Sequence, residues 1–160
     1  MIDFNLIKFV LFDFDDTLCI HKKHSSNSQD DLEYDKKVLL MGSRAWNNMD
    51  KSIHMQKFMN VCKKKNIRMG LISATCSFQH SQGKHDWVFA QYGVDLENFC
   101  VGTFEDKLRI MIAISEAYEI PRNQILIVDD LWENLERAAN NDFMACSPME
   151  VVNYIEINNL

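Results

Sequence analysis

Apolar residues in this chain fall into short unbroken runs separated by stretches of helical period. The run from Leu6 to Phe14 predicts a first strand, and Ile67 to Ile72, Phe99 to Val101, Ile125 to Val128 and Phe143 to Cys146 predict others. Met55, Phe58, Met59 and Cys62 follow the i, i+3, i+4, i+7 pattern, so a helix capped by Asp50 is expected to reach about Lys65. A Ser- and Gln-rich loop carrying Gly83 is expected after Ser73, then a brief helix through Trp87, Val88, Gln91 and Tyr92 that Gly93 stops. Leu108, Met111, Ile112 and Tyr118 mark a further helix ending before Pro121, and another spans about Trp132 to Asn140. The last begins near Pro148, where Ser147 and Glu150 have capping-box spacing.

Strands that are continuously apolar and alternate with helices imply a parallel sheet buried on both faces. The expected fold class is therefore α/β, a Rossmann-like three-layer sandwich with a central parallel sheet. The 160 residues suit a single domain, 1–160, with no repeat or linker to divide it. Residues 19–48 are polar and without period, and are expected to form a loop or flap excursion over the sheet edge, with a short hairpin near Lys37 to Met41.

Composition narrows the function classes. Apolar content of 47% and charged content of 25% are those of a globular protein, and no apolar stretch approaches the roughly 20 residues of a membrane helix. Met1-Ile2-Asp3-Phe4 lacks the basic and apolar regions of an export signal. Five scattered cysteines, without a closely spaced pair, read as reduced thiols in a cytoplasmic protein. A formal charge of −6 excludes a general phosphate-backbone binder, and Lys63-Lys64-Lys65 reads as a solvated helix end. Two loose sets, Cys19/His21/His24 and Cys76/His80/His85, lack a fourth ligand of convincing spacing for a transition metal. His21 to His24 are expected on the loop covering the sheet edge.

The chemistry lies in acidic residues at strand ends. Val10-Leu11-Phe12 leads into Asp13-Phe14-Asp15-Asp16-Thr17, and Ile125 to Val128 leads into Asp129-Asp130. Carboxylates gathered at the mouth of a sheet repel one another and resist desolvation, so a divalent cation such as Mg²⁺ is expected to neutralise them. Sites in open parallel sheets form beyond the carboxyl ends of the strands. Ser73 stands at the end of another strand, and Lys107 opens the helix leading to Ile125. Alone, Ser73 reads as a cap and Lys107 as a surface lysine. With the acids, a hydroxyl and an ammonium complete a set able to hold a metal ion and a phosphoryl group.

Four motifs in this order, Asp13-Phe14-Asp15-Asp16-Thr17, Ser73, Lys107 and Asp129-Asp130 with Asn134 behind them, resemble the phosphatases of the haloacid dehalogenase (HAD) superfamily. The resemblance runs from Val10 to Cys146. It implies that Asp13 is the nucleophile and Asp15 the acid and base, whose backbone carbonyl also contacts the metal. It implies that Asp13, Asp129 and Asp130, the last directly or through water, hold Mg²⁺, and that Ser73 and Lys107 bind the phosphoryl oxygens. Thr17 and Asn134 would orient these groups. Asp16 stands where many relatives carry glycine. Too few residues separate the motifs for a large cap domain, so the implied enzyme is a capless, Mg²⁺-dependent phosphomonoester phosphatase working through an aspartyl-phosphate. Its substrate would be a phosphorylated small molecule or macromolecule, with the oligomeric state left open. Bacterial receiver domains gather similar residues in a different chain order and lack an acid two residues beyond the phosphorylated Asp. The alternative retained is a phosphate- or metal-binding regulatory protein of the same fold with little turnover.

Overall fold

The computed structural model describes residues 3, 5–21, 40–100, 102 and 106–160. Five strands form one parallel sheet: β1 (Phe9–Phe12), β4 (Arg68–Leu71), β5 (Glu97–Asn98), β6 (Ile125–Val128) and β7 (Met144–Cys146). Their order is β5-β4-β1-β6-β7, with Phe9 opposite Arg68 on one side and Ile125 on the other. A separate antiparallel pair joins β2 (Cys19–Ile20) to β3 (Asp50–Lys51).

Strand period 2 sorts the core into two layers. Val10, Phe12, Leu126 and Val128 face the side covered by α1 (Ile53–Lys64), α2 (Phe78–Tyr92) and α5 (Pro148–Ile157). Phe9, Leu11, Ile125 and Ile127 face α3 (Asp106–Ala117) and α4 (Trp132–Ala139). All four residues of β1 and of β6 are buried, as the unbroken apolar runs require. Among the described residues no helix is long and apolar enough to cross a membrane.

Several boundaries differ from those read in the sequence. Ser52, not Asp50, caps α1, its hydroxyl accepting the Met55 N–H, while Asp50 pairs with Ile20 in the small sheet. β1 is shorter than its apolar run because Asp13 and Phe14 already belong to the turn that leaves the sheet. The third strand falls two residues earlier than expected, at Glu97–Asn98. The capping box at Ser147 and Glu150 is formed, with Pro148 in the first turn.

The largest difference is α2, which takes up most of the expected loop after Ser73. Ser77 starts it by accepting the His80 N–H at 3.0 Å, and Gly93 ends it at φ 64°. Gly83 lies against a 3-10 turn, Gly42–Trp46, where a Cβ would stand 3.1 Å from the Ser43 nitrogen. That close approach buries Trp46 between Phe14 and His80, and the Trp87 indole N–H donates to the Trp46 carbonyl at 3.0 Å. The end of the expected excursion is thus packed core, and the hairpin expected near Lys37 to Met41 falls largely outside the described residues.

Candidate active site

β1 is the strand at which the sheet order reverses, with β4 and β6 on either side, and its carboxyl end is where open sheets of this kind place their ligands. Asp13 sits at that end, its N–H donating to the Val128 carbonyl at 2.9 Å. The chain then turns tightly: the Leu18 and Cys19 amides both donate to the Phe14 carbonyl, at 3.0 and 2.8 Å. Asp16 holds the turn at φ 49°, the left-handed region where glycine is the usual occupant. Its carboxylate accepts the His21 N–H at 3.0 Å.

Two charged clusters grow from this turn. In the inner one, the buried Lys107 ammonium donates to Asp13 Oδ1 at 2.8 Å and to Asp129 Oδ2 at 2.7 Å. Asn134 donates to both Asp129 oxygens at 3.1 Å, and the Leu131 N–H to Asp129 Oδ1 at 3.0 Å. Burial, with Asp129 and Asp15 nearby, pushes the Asp13 carboxyl up to about 7 against the pull of Lys107. Partial desolvation beside Asp129 likewise pushes Asp130 up to about 6.

One carboxylate oxygen from each of Asp13, Asp129 and Asp130 lies within 4.8 Å of the others. Three hard oxygen donors at that spacing suit Mg²⁺, and one ammonium does not discharge three acids, as the raised Asp13 and Asp130 carboxyls indicate. The residues present therefore fit the ion that the sequence led us to expect.

In the outer cluster, the Lys84 ammonium, 1% exposed, donates to Asp15 Oδ2 at 2.6 Å, to Ser73 Oγ at 2.8 Å and to the Ala74 carbonyl at 3.1 Å. His21 Nε2 lies 2.9 Å from Asp15 Oδ1. Burial opposes charge on Asp15, yet Lys84 and His21 together hold its carboxyl well below the usual range, and Asp15 in turn raises His21.

Six of the eight residues singled out in the sequence, Asp13, Asp15, Ser73, Lys107, Asp129 and Asn134, enter these two hydrogen-bonded clusters. Asp130 joins the inner acids but is exposed. The Thr17 hydroxyl is buried and has no hydrogen-bond partner among the described residues, so it does not bond to the acid it was expected to orient. His85 turns to Asp95 and the Leu96 carbonyl, 3.1 and 2.9 Å away, and does not join Cys76 and His80, which contact each other at 3.2 Å.

Lys84 was not found from the sequence. The signal was its place in the buried stripe of α2, in step with His80, Trp87 and Val88, where a lysine is out of character. Reading residues 73–86 as a loop concealed that stripe. His21 was expected on a covering loop, and its contact with Asp15 needs the β2 geometry to be known.

No protein-family model and no curated protein sequence matches the chain. Solved structures do. The N-terminal part of a Bacteroides fragilis protein, containing a phosphatase domain and complexed with Mg, aligns at TM-score 0.60 and 13% identity over 94% of this chain and 39% of that one. A HAD family enzyme of Bacteroides thetaiotaomicron, complexed with magnesium and inorganic phosphate, aligns at TM-score 0.59 and 15% identity over 88% and 93%. The cobalt-bound deoxy-D-mannose-octulosonate 8-phosphate phosphatase of Haemophilus influenzae aligns at 0.54 and 13% over 89% and 69%. At such identities the likeness is one of architecture, and the chain has the HAD-like Rossmann fold.

Proposed function

We propose that the chain is a Mg²⁺-dependent phosphomonoester phosphatase, a single domain over 1–160 without a large cap, acting in the cytoplasm on a phosphorylated small molecule or macromolecule. The observation that carries this reading is the inner cluster: three acids within 4.8 Å, two of them bridged by Lys107. An Asp13 oxygen attacks phosphorus as the bond to the leaving oxygen breaks, giving an aspartyl-phosphate, and Asp15 protonates the departing group. Asp15 then takes a proton from water, whose oxygen attacks phosphorus, releasing inorganic phosphate and restoring Asp13. Ser73 and Lys107 hold the phosphoryl oxygens while charge shifts among them. Mg²⁺ held by Asp13, Asp129, Asp130 and the Asp15 carbonyl would offset the repulsion between an anionic nucleophile and an anionic substrate. Asn134 and the Leu131 amide keep Asp129 oriented toward that position.

Asp15 rests ionised, which suits the second step. The proton for the departing oxygen has to be supplied to it, and His21, raised by its contact with Asp15, is one titratable donor beside it. Hydrolysis of p-nitrophenyl phosphate in Mg²⁺ tests the whole scheme. Activity is expected in the wild type, loss with chelation, and at least about a thousandfold loss in Asp13→Asn with the fold retained. Undiminished turnover by Asp13→Asn removes the nucleophile and the scheme with it.

A further inference from the structure

An ammonium has three protons and no lone pair, so every contact it makes is a donation. Lys84 spends all three, on Asp15 Oδ2, Ser73 Oγ and the Ala74 carbonyl. It has none left for a substrate oxygen in this arrangement. What it does instead follows from the hydroxyl it touches. Ser73 is 1% exposed and accepts from Lys84 at 2.8 Å, so that side of its oxygen is committed as an acceptor. The serine's own proton must point to another acceptor, and a phosphoryl oxygen bound at the strand ends is one. A buried hydroxyl without such a neighbour can turn either way and aim a lone pair at the anion.

The same ammonium ties two loops to one helix. Asp15 belongs to the turn after β1, Ser73 and Ala74 to the exit of β4, and Lys84 is set two turns into α2 and backed by the Phe14 ring, 4.9 Å from Nζ. Gly83 beside it lets α2 press against the 3-10 turn at Gly42–Trp46, which fixes the depth from which the lysine reaches inward.

We infer that Lys84 is a positioning residue of the phosphoryl site: it pins the loops after β1 and β4 together and makes Ser73 a hydrogen-bond donor to the bound anion. The inference rests on the phosphate-site reading above, but its test reads binding and not turnover. Inorganic phosphate is titrated calorimetrically into the protein in excess Mg²⁺. Lys84→Met, close in length and apolar, is expected to weaken phosphate binding about tenfold, as is Ser73→Ala. The double variant is expected to lose about the same tenfold and not a hundredfold, because both changes remove one interaction. A general structural role predicts no such coupling to Ser73.

Unaltered phosphate affinity in Lys84→Met, or additive losses in the double variant, overturns the inference. Should Lys84→Met fail to fold because it strands the Asp15 charge, the comparison moves to an Asp15→Asn background, where the same tenfold step is expected. Turnover of p-nitrophenyl phosphate by the same samples separates the two readings. A wild type that hydrolyses, beside a Lys84→Met variant of unchanged phosphate affinity, discards the role of Lys84 and keeps the hydrolase. A wild type that binds phosphate and hydrolyses nothing, with the coupled loss intact, does the reverse.

Discussion

Two buried lysines stand on either side of the turn after β1, and their carboxylates respond in opposite ways. Lys107 lies between Asp13 and Asp129 and leaves Asp13 pushed up to about 7, whereas Lys84 faces Asp15 and holds it well below the ordinary range. The lysines are equally buried, at 3% and 1%, and their contacts are equally short. What differs is the count of acids. One ammonium shared between two enclosed carboxylates does not repay the desolvation of both, while Lys84 has a single acid, 41% exposed in its side chain and helped by His21. The inner cluster is short of positive charge, and the outer one is complete. By that balance a cation suits the first and not the second.

Removing each ammonium breaks the comparison most severely. In chelator, Lys107→Met is expected to cost about 3–5 kcal/mol in urea unfolding, because Asp13 and Asp129 are then enclosed together without a counter-charge. Lys84→Met is expected to cost less, about 1–3 kcal/mol, because Asp15 keeps His21 and access to water. Equal losses would mean that the number of acids per lysine does not distinguish the two sites.

The unequal legibility of these clusters in the sequence has the same origin. Asp13, Lys107 and Asp129 are set by strand ends and a helix start, positions that apolar runs mark sharply, and β6 falls on its predicted residues. Lys84 and His21 reach Asp15 from the middle of a helix and the end of a two-residue strand. Those side chains arrive through packing, Gly83 on the 3-10 turn and Trp46 under His80, and the only trace of it in the local pattern is a lysine in the apolar stripe of α2. Thr17 illustrates the converse: its place in a motif invited a role, yet its hydroxyl is buried and makes no hydrogen bond among the described residues.

Acidity sharpens the contrast with a smaller effect. The raised Asp13 carboxyl contributes stability that is full below about pH 4 and is lost as pH rises through about 7, since the folded chain holds that proton more tightly than the unfolded one. Asp130 and His21, both raised, act in the same direction. The lowered Asp15 does the opposite: its contribution is present above about pH 4 and fades only as pH falls through its depressed folded value. Between pH 5 and 8 the chelated protein is therefore expected to lose stability, chiefly through Asp13, and Asp13→Asn is expected to flatten that slope. Mg²⁺ competes with those protons, so it is expected to raise the melting temperature more at pH 8 than at pH 5. A Mg²⁺ effect that is equal at both, read by calorimetry, would detach the cation from the inner acids.

The smallest effect concerns the turn that feeds both clusters. Asp16 sits at φ 49° directly after Asp13, which reaches Lys107, and Asp15, which reaches Lys84, and two forces act on it. A side chain in the left-handed region costs roughly 1 kcal/mol relative to glycine, less for Asp than for most residues. Against that, its carboxylate accepts the His21 N–H at 3.0 Å in an exposed setting, which returns a fraction of that amount. Asp16→Gly removes both terms and is expected to leave stability within about 0.5 kcal/mol of the wild type. Asp16→Ala keeps the strain and discards the hydrogen bond, so it is expected to fall about 1–2 kcal/mol lower. Because the lost bond is the one holding the His21 backbone, Asp16→Gly is expected to disturb the outer cluster alone, visible as a shifted His21 titration by NMR with Mg²⁺ affinity unchanged. If Ala and Gly are equally stable, the turn is not strained, and the aspartate there serves only to anchor His21.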